Sequence, residues 1–266
     1  MKIGLKLLTI VISIGLFSRC SKSADPSVTS SISLKMSAST SNGSNLINGR
    51  AASASNSRLS GSATAGITIT DVKVNVRDIK FDFDKGDRHF HEAEFKKDSA
   101  YSGDNDAKLK GPFLVDLMSA GTFVDQVITS VNLPNAKYEQ VRFKLVPDSV
   151  AGDMLGKSIL ITGKIDTIPF IFWHKRNVNF GAKFNDHNPT DSTLNTTGTA
   201  VTMAIHFELD KILNALNGGV NLTKAVDGNK DGVITIDPNN DDGNKWLADQ
   251  IMALLVRHAR CERKDH

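Results

Sequence analysis

Residues 66–83 read Gly-Ile-Thr-Ile-Thr-Asp-Val-Lys-Val-Asn-Val-Arg-Asp-Ile-Lys-Phe-Asp-Phe. Apolar side chains return at close to every second position, from Ile67 and Ile69 through Val72, Val74 and Val76 to Ile79, Phe81 and Phe83. A backbone of period two sends alternate side chains to opposite faces, so this segment predicts one long strand with a dry face and a wet one. A strand cannot stand alone, because its dry face and its edges both need partners.

Shorter runs of the same texture supply those partners. They cover residues 113–117, 123–133, 138–146, 158–165, 168–173 and 201–209, with Pro134 and Pro147 closing two of them. Strands at this spacing predict a mainly β fold, an antiparallel β-sandwich of the transthyretin or immunoglobulin-like kind. Helical periodicity comes only late and predicts one or two C-terminal helices. Residues 210–217 form a short candidate closed by Gly218-Gly219. Residues 245–260 place Leu247, Ile251, Leu254, Leu255 and His258 on one face, with Asn244 as the expected cap.

The first 65 residues have a different character. Lys2 and Lys6 precede the uncharged run from Leu7 to Phe17. That run is too short for a bilayer, which takes about 20 apolar residues, and the order of charge then apolar fits a signal peptide over residues 1–19. Leu16-Phe17-Ser18-Arg19-Cys20 resembles a bacterial lipobox, with Arg19 where that motif has a small residue. The resemblance implies a lipid on Cys20 and anchorage at an outer membrane or cell surface. Ser21-Lys22-Ser23 offers ordinary cleavage instead, which leaves a periplasmic or secreted chain. Residues 21–65 hold 15 serines and no aromatic residue. So little apolar area does not offset chain entropy, so residues 20–65 are expected to form a flexible tether, with a root-mean-square reach of roughly 35 Å. One short strand is possible within it, over 28–36, through Val28, Ile32 and Leu34. The body is then a single domain, residues 66–266, with a helical segment over 210–260. Loss of Lys2, Lys6 and Arg19 on cleavage lowers the 32 basic side chains to 29, against 29 acidic ones. A neutral mature chain gives no reason to expect nucleic acid. Cys261, in the charged stretch Arg-Cys-Glu-Arg-Lys, reads as an incidental thiol, able to pair with Cys20 only if Cys20 carries no lipid.

Three phrases carry a wider resemblance. Pro112-Phe-Leu-Val-Asp-Leu117 is followed by Leu133-Pro-Asn-Ala-Lys-Tyr-Glu-Gln-Val-Arg-Phe143, and then by Gly156-Lys-Ser-Ile-Leu-Ile-Thr-Gly163. This order, across residues 66–210, resembles uncharacterised bacterial lipoprotein domains with a β-sandwich body. The resemblance implies the architecture and the anchor. It implies no activity.

The sharpest chemical motif is Asp227-Gly-Asn229-Lys-Asp231-Gly-Val233-Ile-Thr235. Oxygen ligands at alternate positions, a glycine at the sixth and a carbonyl at the seventh match the opening of an EF-hand calcium loop. The twelfth position holds Pro238 where a bidentate Glu belongs, so a complete EF-hand is not expected. A second run, Asp237-Pro-Asn239-Asn-Asp241-Asp242-Gly243, follows at ten-residue spacing. Asp227, Asn229, Asp231, Val233, Thr235, Asp237, Asn239 and Asp241 are the candidate calcium ligands. The same residue types also build plain solvated turns. His89 and His91 would share one face of a strand, a spacing that suits Zn²⁺ or Cu²⁺. Such a site needs three or four ligands, and a charged loop favours exposed histidines.

No nucleophile elbow, phosphate loop, dinucleotide fingerprint or Cys-x-x-Cys occurs, so no catalytic residue is assigned. These observations lead to an exported lipoprotein, a non-enzymatic binding or interaction module at the cell envelope. Its expected partners are the membrane, through the lipid, and a protein or glycan ligand; its expected cofactor is at most calcium. The alternative is an exported hydrolase of a glycan or other polymer, using carboxylates such as Asp82, Asp84 and Glu92.

Overall fold

A computed structural model describes residues 29–48, 65–83, 101–102, 106–134, 137–183, 194–195 and 200–264. Strand β1 is Thr29–Ser39, and the long alternating segment forms β2, Ala65–Phe83. β3 (Gln126–Pro134), β4 (Lys137–Leu145), β5 (Ile159–Ile165), β6 (Ile168–His174), β7 (Val178–Lys183) and β8 (Val201–Glu208) follow. Helix α1 (Leu209–Leu213) comes next, then β9 (Ile234–Ile236), helix α2 (Lys245–His258) and β10 (Ala259–Lys264).

The chain is mainly β, with mixed sheets and a curled half-barrel. The larger sheet runs β7-β4-β2-β5-β6-β9, and shorter strands at Asn45–Asn48, Asp106–Leu109 and Phe113–Asp116 also pair with β2. The second sheet runs β10-β8-β1-β3. The expectation of purely antiparallel pairing is corrected twice. β1 lies parallel to β8, with Ile32 beside Val201, and β6 lies parallel to β9, with Phe170 beside Ile234. Parallel neighbours need long connections, and here each pair is joined through many intervening residues.

β2 organises the larger sheet because it slips phase twice. Its apolar spacing is three rather than two from Ile69 to Val72 and from Val76 to Ile79. Register shifts against β5 and against β4 fall at these places, and Asp78 there has a positive φ of 51°. Such bulges bend a strand and increase its twist. Between them sits Asn75, 1% exposed. Its N–H donates to the carbonyl of Ser158 at 3.0 Å, and its own carbonyl accepts from the N–H of Val146 at 3.1 Å. One residue therefore holds the fork from which β4 and β5 diverge along the same edge.

The tether expected over 20–65 is corrected over residues 29–48. β1 lies inside the second sheet, and Ile32, Leu34 and Met36 are 0% exposed. The short strand named over 28–36 is present there, through Ile32 and Leu34, and runs on to Ser39. Residues 20–28 and 49–64 lie outside the described residues. The two sheets share one core. Phe180 of β7 stacks on Phe143 at 4.8 Å and meets Phe207 of β8 edge-on at 6.1 Å, tying sheet to sheet. Cys261 is no incidental tail thiol. It pairs opposite Ile205 and is fully buried.

α2 buries Leu247, Ala248, Ile251, Met252 and Leu255. Its core stripe is rotated from the expected one, with Leu254 and His258 only partly covered. α1 is shorter than the expected 210–217 helix, because Asn214 turns its side chain onto the N–H of Leu216 and begins a separate 3₁₀ turn. β7 and Asp106–Leu109 were not expected as strands, and β10 replaces the end of the expected second helix.

Candidate functional site

The Asp/Asn-rich segment joins β9 to its neighbours on both sides. Lys230 and Gly232 have positive φ, as do Asn240 and Gly243. Those backbone turns curl each run back on itself, and the acidic side chains fasten them. Both carboxylate oxygens of Asp227 accept backbone N–H groups, from Asp231 at 3.2 Å and Gly232 at 3.0 Å. Asn229 Oδ1 accepts from the Asp231 N–H at 2.9 Å, and Asp231 Oδ1 from the Val233 N–H at 2.8 Å. Asn229 Nδ2 donates to Asp231 Oδ2 at 3.1 Å. The first three candidate ligands are thus brought together in one tight loop. Each bonded oxygen keeps a second lone pair.

The second run divides. Asp237 is 0% exposed, and its Oδ1 accepts the N–H groups of Asn240 at 2.8 Å and Asp241 at 3.1 Å. Its Oδ2 has no hydrogen-bond partner. The Asp237 charge beside Asp241 is the main reason the Asp241 carboxyl lies above its ordinary value of 3.8. Two carboxylates this close favour a proton or a cation between them. Asn239 turns away, accepting from Lys175 Nζ at 2.9 Å. Thr235 is engaged through its backbone: its N–H reaches Asp242 Oδ2 at 2.6 Å and its carbonyl takes Asn244 Nδ2 at 2.9 Å.

Two residues not counted among the ligands hold the segment together. Asp242, 4% exposed, clamps the N–H groups of Asn229 and Thr235. Asn244, 1% exposed, does not cap α2 with its side chain. It bonds both the N–H and the carbonyl of Val226. The Lys245 N–H at the helix start is taken by Asn240 instead. The two runs meet so closely that a Cβ on Gly228 would stand 2.5 Å from the Asp242 carbonyl oxygen. Asn229 lies 13 residues from Asp242 and Val226 lies 18 from Asn244, so local pattern carried no sign of these two contacts.

Among the described residues no group of three or more His, Cys, Asp or Glu is placed to hold a metal. A calcium ion here would therefore draw on amide, carbonyl and water oxygens as well. Cys20, His89, His91, Asp84 and Glu92 lie outside the described residues. Asp82 is held by Arg142 in an ion pair and by Gln140 Nε2 at 2.7 Å. A cavity of about 460 Å³ beside the end of β1 is lined by Ser39, His206, Glu208 and Asp210 among others. There His206 sits between the hydroxyls of Ser37 and Ser39, each at 2.9 Å. No helix among the described residues is long and apolar enough to cross a membrane. No protein-family model, curated protein or solved structure matches the chain.

Proposed function

We propose that this chain is an exported, lipid-anchored binding module of the cell envelope, non-enzymatic, with calcium stiffening the segment before α2. Export and anchorage rest on residues 1–20 of the sequence. The core shared by the two sheets supports reading the body as a sandwich, a scaffold that presents loops rather than a deep cleft. Its ligand would be a protein or glycan.

The observation that carries the calcium reading is the Asp237–Asp241 pair, one carboxylate fully buried with an unpartnered oxygen and its neighbour held above the ordinary range. Residues 227–244 contain five Asp and one Lys, so the segment gains by a counter-ion. A hard ion with six to eight oxygen ligands suits it, and even a weak site, with Kd of about 10⁻⁴–10⁻³ M, fills outside the cell. Asp227, Asn229 and Asp231, with the Val233 carbonyl, are the first ligand group, and Asp237 and Asp241 the second.

Calcium should raise the Tm at pH 7 and EDTA should lower it. Asp231→Ala should remove the response of the first group and Asp241→Asn that of the second. A Tm indifferent to calcium and EDTA in the unmutated chain would leave only self-fastened turns.

A further inference from the structure

At the end of β6, His174 is 5% exposed and its Nδ1 accepts the backbone N–H of Arg176 at 3.0 Å. A backbone N–H is always a donor, so Nδ1 carries no proton and the neutral ring carries its proton on Nε2. Burial, opposed by the Asp249 charge, keeps the ring neutral by holding it below its ordinary 6.5. Yet Nε2 has no hydrogen-bond partner. Asp249 Oδ1 stands 3.8 Å away, beyond hydrogen-bond reach. A buried, unpaired donor of this kind is destabilising unless something meets it.

What lies around that donor is basic. A cavity of about 510 Å³ is lined by His174, Lys175, Arg176, Pro238, Lys245 and Asp249. Three cations face one carboxylate, leaving two positive charges in excess. Asp249 Oδ2 is tied to Lys245 at 2.5 Å. Lys175 donates to the neutral Asn239, which leaves its charge uncompensated. The Arg176 guanidinium makes no ion pair among the described residues.

We propose that this cavity binds a phosphate-type oxyanion, met by the fixed Nε2–H of His174 and by the Arg176, Lys245 and Lys175 side chains. The fork of Arg176 suits two oxygens of such a group, and the two excess charges match a dianion. Asp249 is then a competitor: it holds Lys245 and stands near His174 when the oxyanion is absent, and yields both when it arrives. The cavity is larger than the oxyanion alone, so the group is the head of a phosphoester or of an anionic lipid, both read by the same chemistry.

The test uses the full chain carrying Cys20→Ser, so that no acyl group intervenes, in calcium-free buffer, so that phosphate is not drawn to the acidic segment. Inorganic phosphate is titrated while the ring nitrogens of His174 are followed by NMR and the heat by calorimetry. Saturable binding with a shift of the Nε2 resonance is expected. Arg176→Gln should weaken it at least about tenfold, as for a lost charged hydrogen bond. Asp249→Asn should tighten it by roughly fivefold, the scale of one partly exposed charge. Both side chains are exposed, so neither variant threatens the fold. No saturable response up to about 10 mM phosphate overturns the proposal, and so does an Asp249→Asn variant that loses binding, since Asp249 is then simply the partner of His174. Flotation with phosphatidylglycerol vesicles separates the sources. Capture that phosphate competes away supports a lipid headgroup, and phosphate binding without capture supports a soluble phosphoester. Capture that neither phosphate nor Arg176→Gln reduces counts against this cavity.

Discussion

Gly163 shows how tightly single positions are set. It lies on β5 where the register against β2 shifts, and a Cβ there would fall 2.1 Å from the Thr68 carbonyl oxygen and 2.7 Å from the Phe170 ring. Backbone cannot give way as a side-chain tip can. Gly163→Ala should therefore destabilise the chain by about 1–3 kcal/mol or more, the cost of overpacking. Urea unfolding measures it, and an unchanged midpoint would show that the approach is looser than the geometry implies. Individual roles of this kind were legible only where they left a mark in periodicity. The two phase slips of β2 are visible as three-residue steps between apolar positions. Asn75, by contrast, looks like one more wet-face polar residue, because its partners are distant in sequence, Val146 just past the end of β4 and Ser158 just before β5. Asp242 and Asn244 were hidden for the same reason: the first looked like an exposed turn acid, the second like a cap.

Among elements, β1 is the one on which composition and periodicity disagreed. Serine content argued for a tether, while Ile32, Leu34, Met36 and Ala38 kept strict alternation. Alternation prevailed because four apolar side chains on one face suffice when both strand edges are paired, by β8 and by β3. Leu34→Ala should cost about 2–5 kcal/mol, the range for a fully buried leucine. A tether residue would cost nothing, so a Tm equal to that of the unmutated chain would return β1 to the tether. α2 was legible in extent because its i, i+4 pattern is long. Its stripe was misjudged because Ala248 and Met252 are weak signals beside Leu254. β9 and β10 were not legible: three residues after a charged loop, and a strand of charged residues, become strands through their neighbours rather than through their own pattern.

For the whole molecule, ion pairs that cross between strands and loops set the acid limit. Lys73 reaches Asp153 at 2.6 Å and Asp71 at 2.8 Å, and Asp78 lies between Lys144 at 3.1 Å and Lys108 at 3.2 Å. The hydrogen bond from Lys73 holds Asp153 below its ordinary 3.8; burial opposes this at Asp78, where the two lysines prevail. Asp249 is lowered chiefly by Lys245. A carboxyl lowered in the folded state contributes stability that is present above 3.8 and is lost as pH falls through its folded value. His174, lowered from 6.5, likewise favours the folded chain above 6.5 and loses that contribution below it. Asp241 runs the other way, its raised value making the fold strained at neutral pH and relieved in acid. In EDTA the Tm should decline gently below pH 6.5 and steeply below 3.8, with the stabilisation by calcium shrinking as Asp241 takes a proton. A Tm that holds level to pH 3 would show that these pairs contribute nothing. The mainly β character was legible at this scale from period two alone. Which strands are neighbours was not, since parallel pairing between distant segments leaves no local trace.

That parallel pairing also orders events in time. β1 is made before its neighbour β8, which emerges roughly 170 residues later, as the Ile32–Val201 register shows. Until then an apolar strand with an unfilled edge must wait, and long-range closure of this kind is slow. A chain built this way stays open while it is being made and locks only when β8 arrives. It is exposed to mispairing at β1 if β8 is delayed.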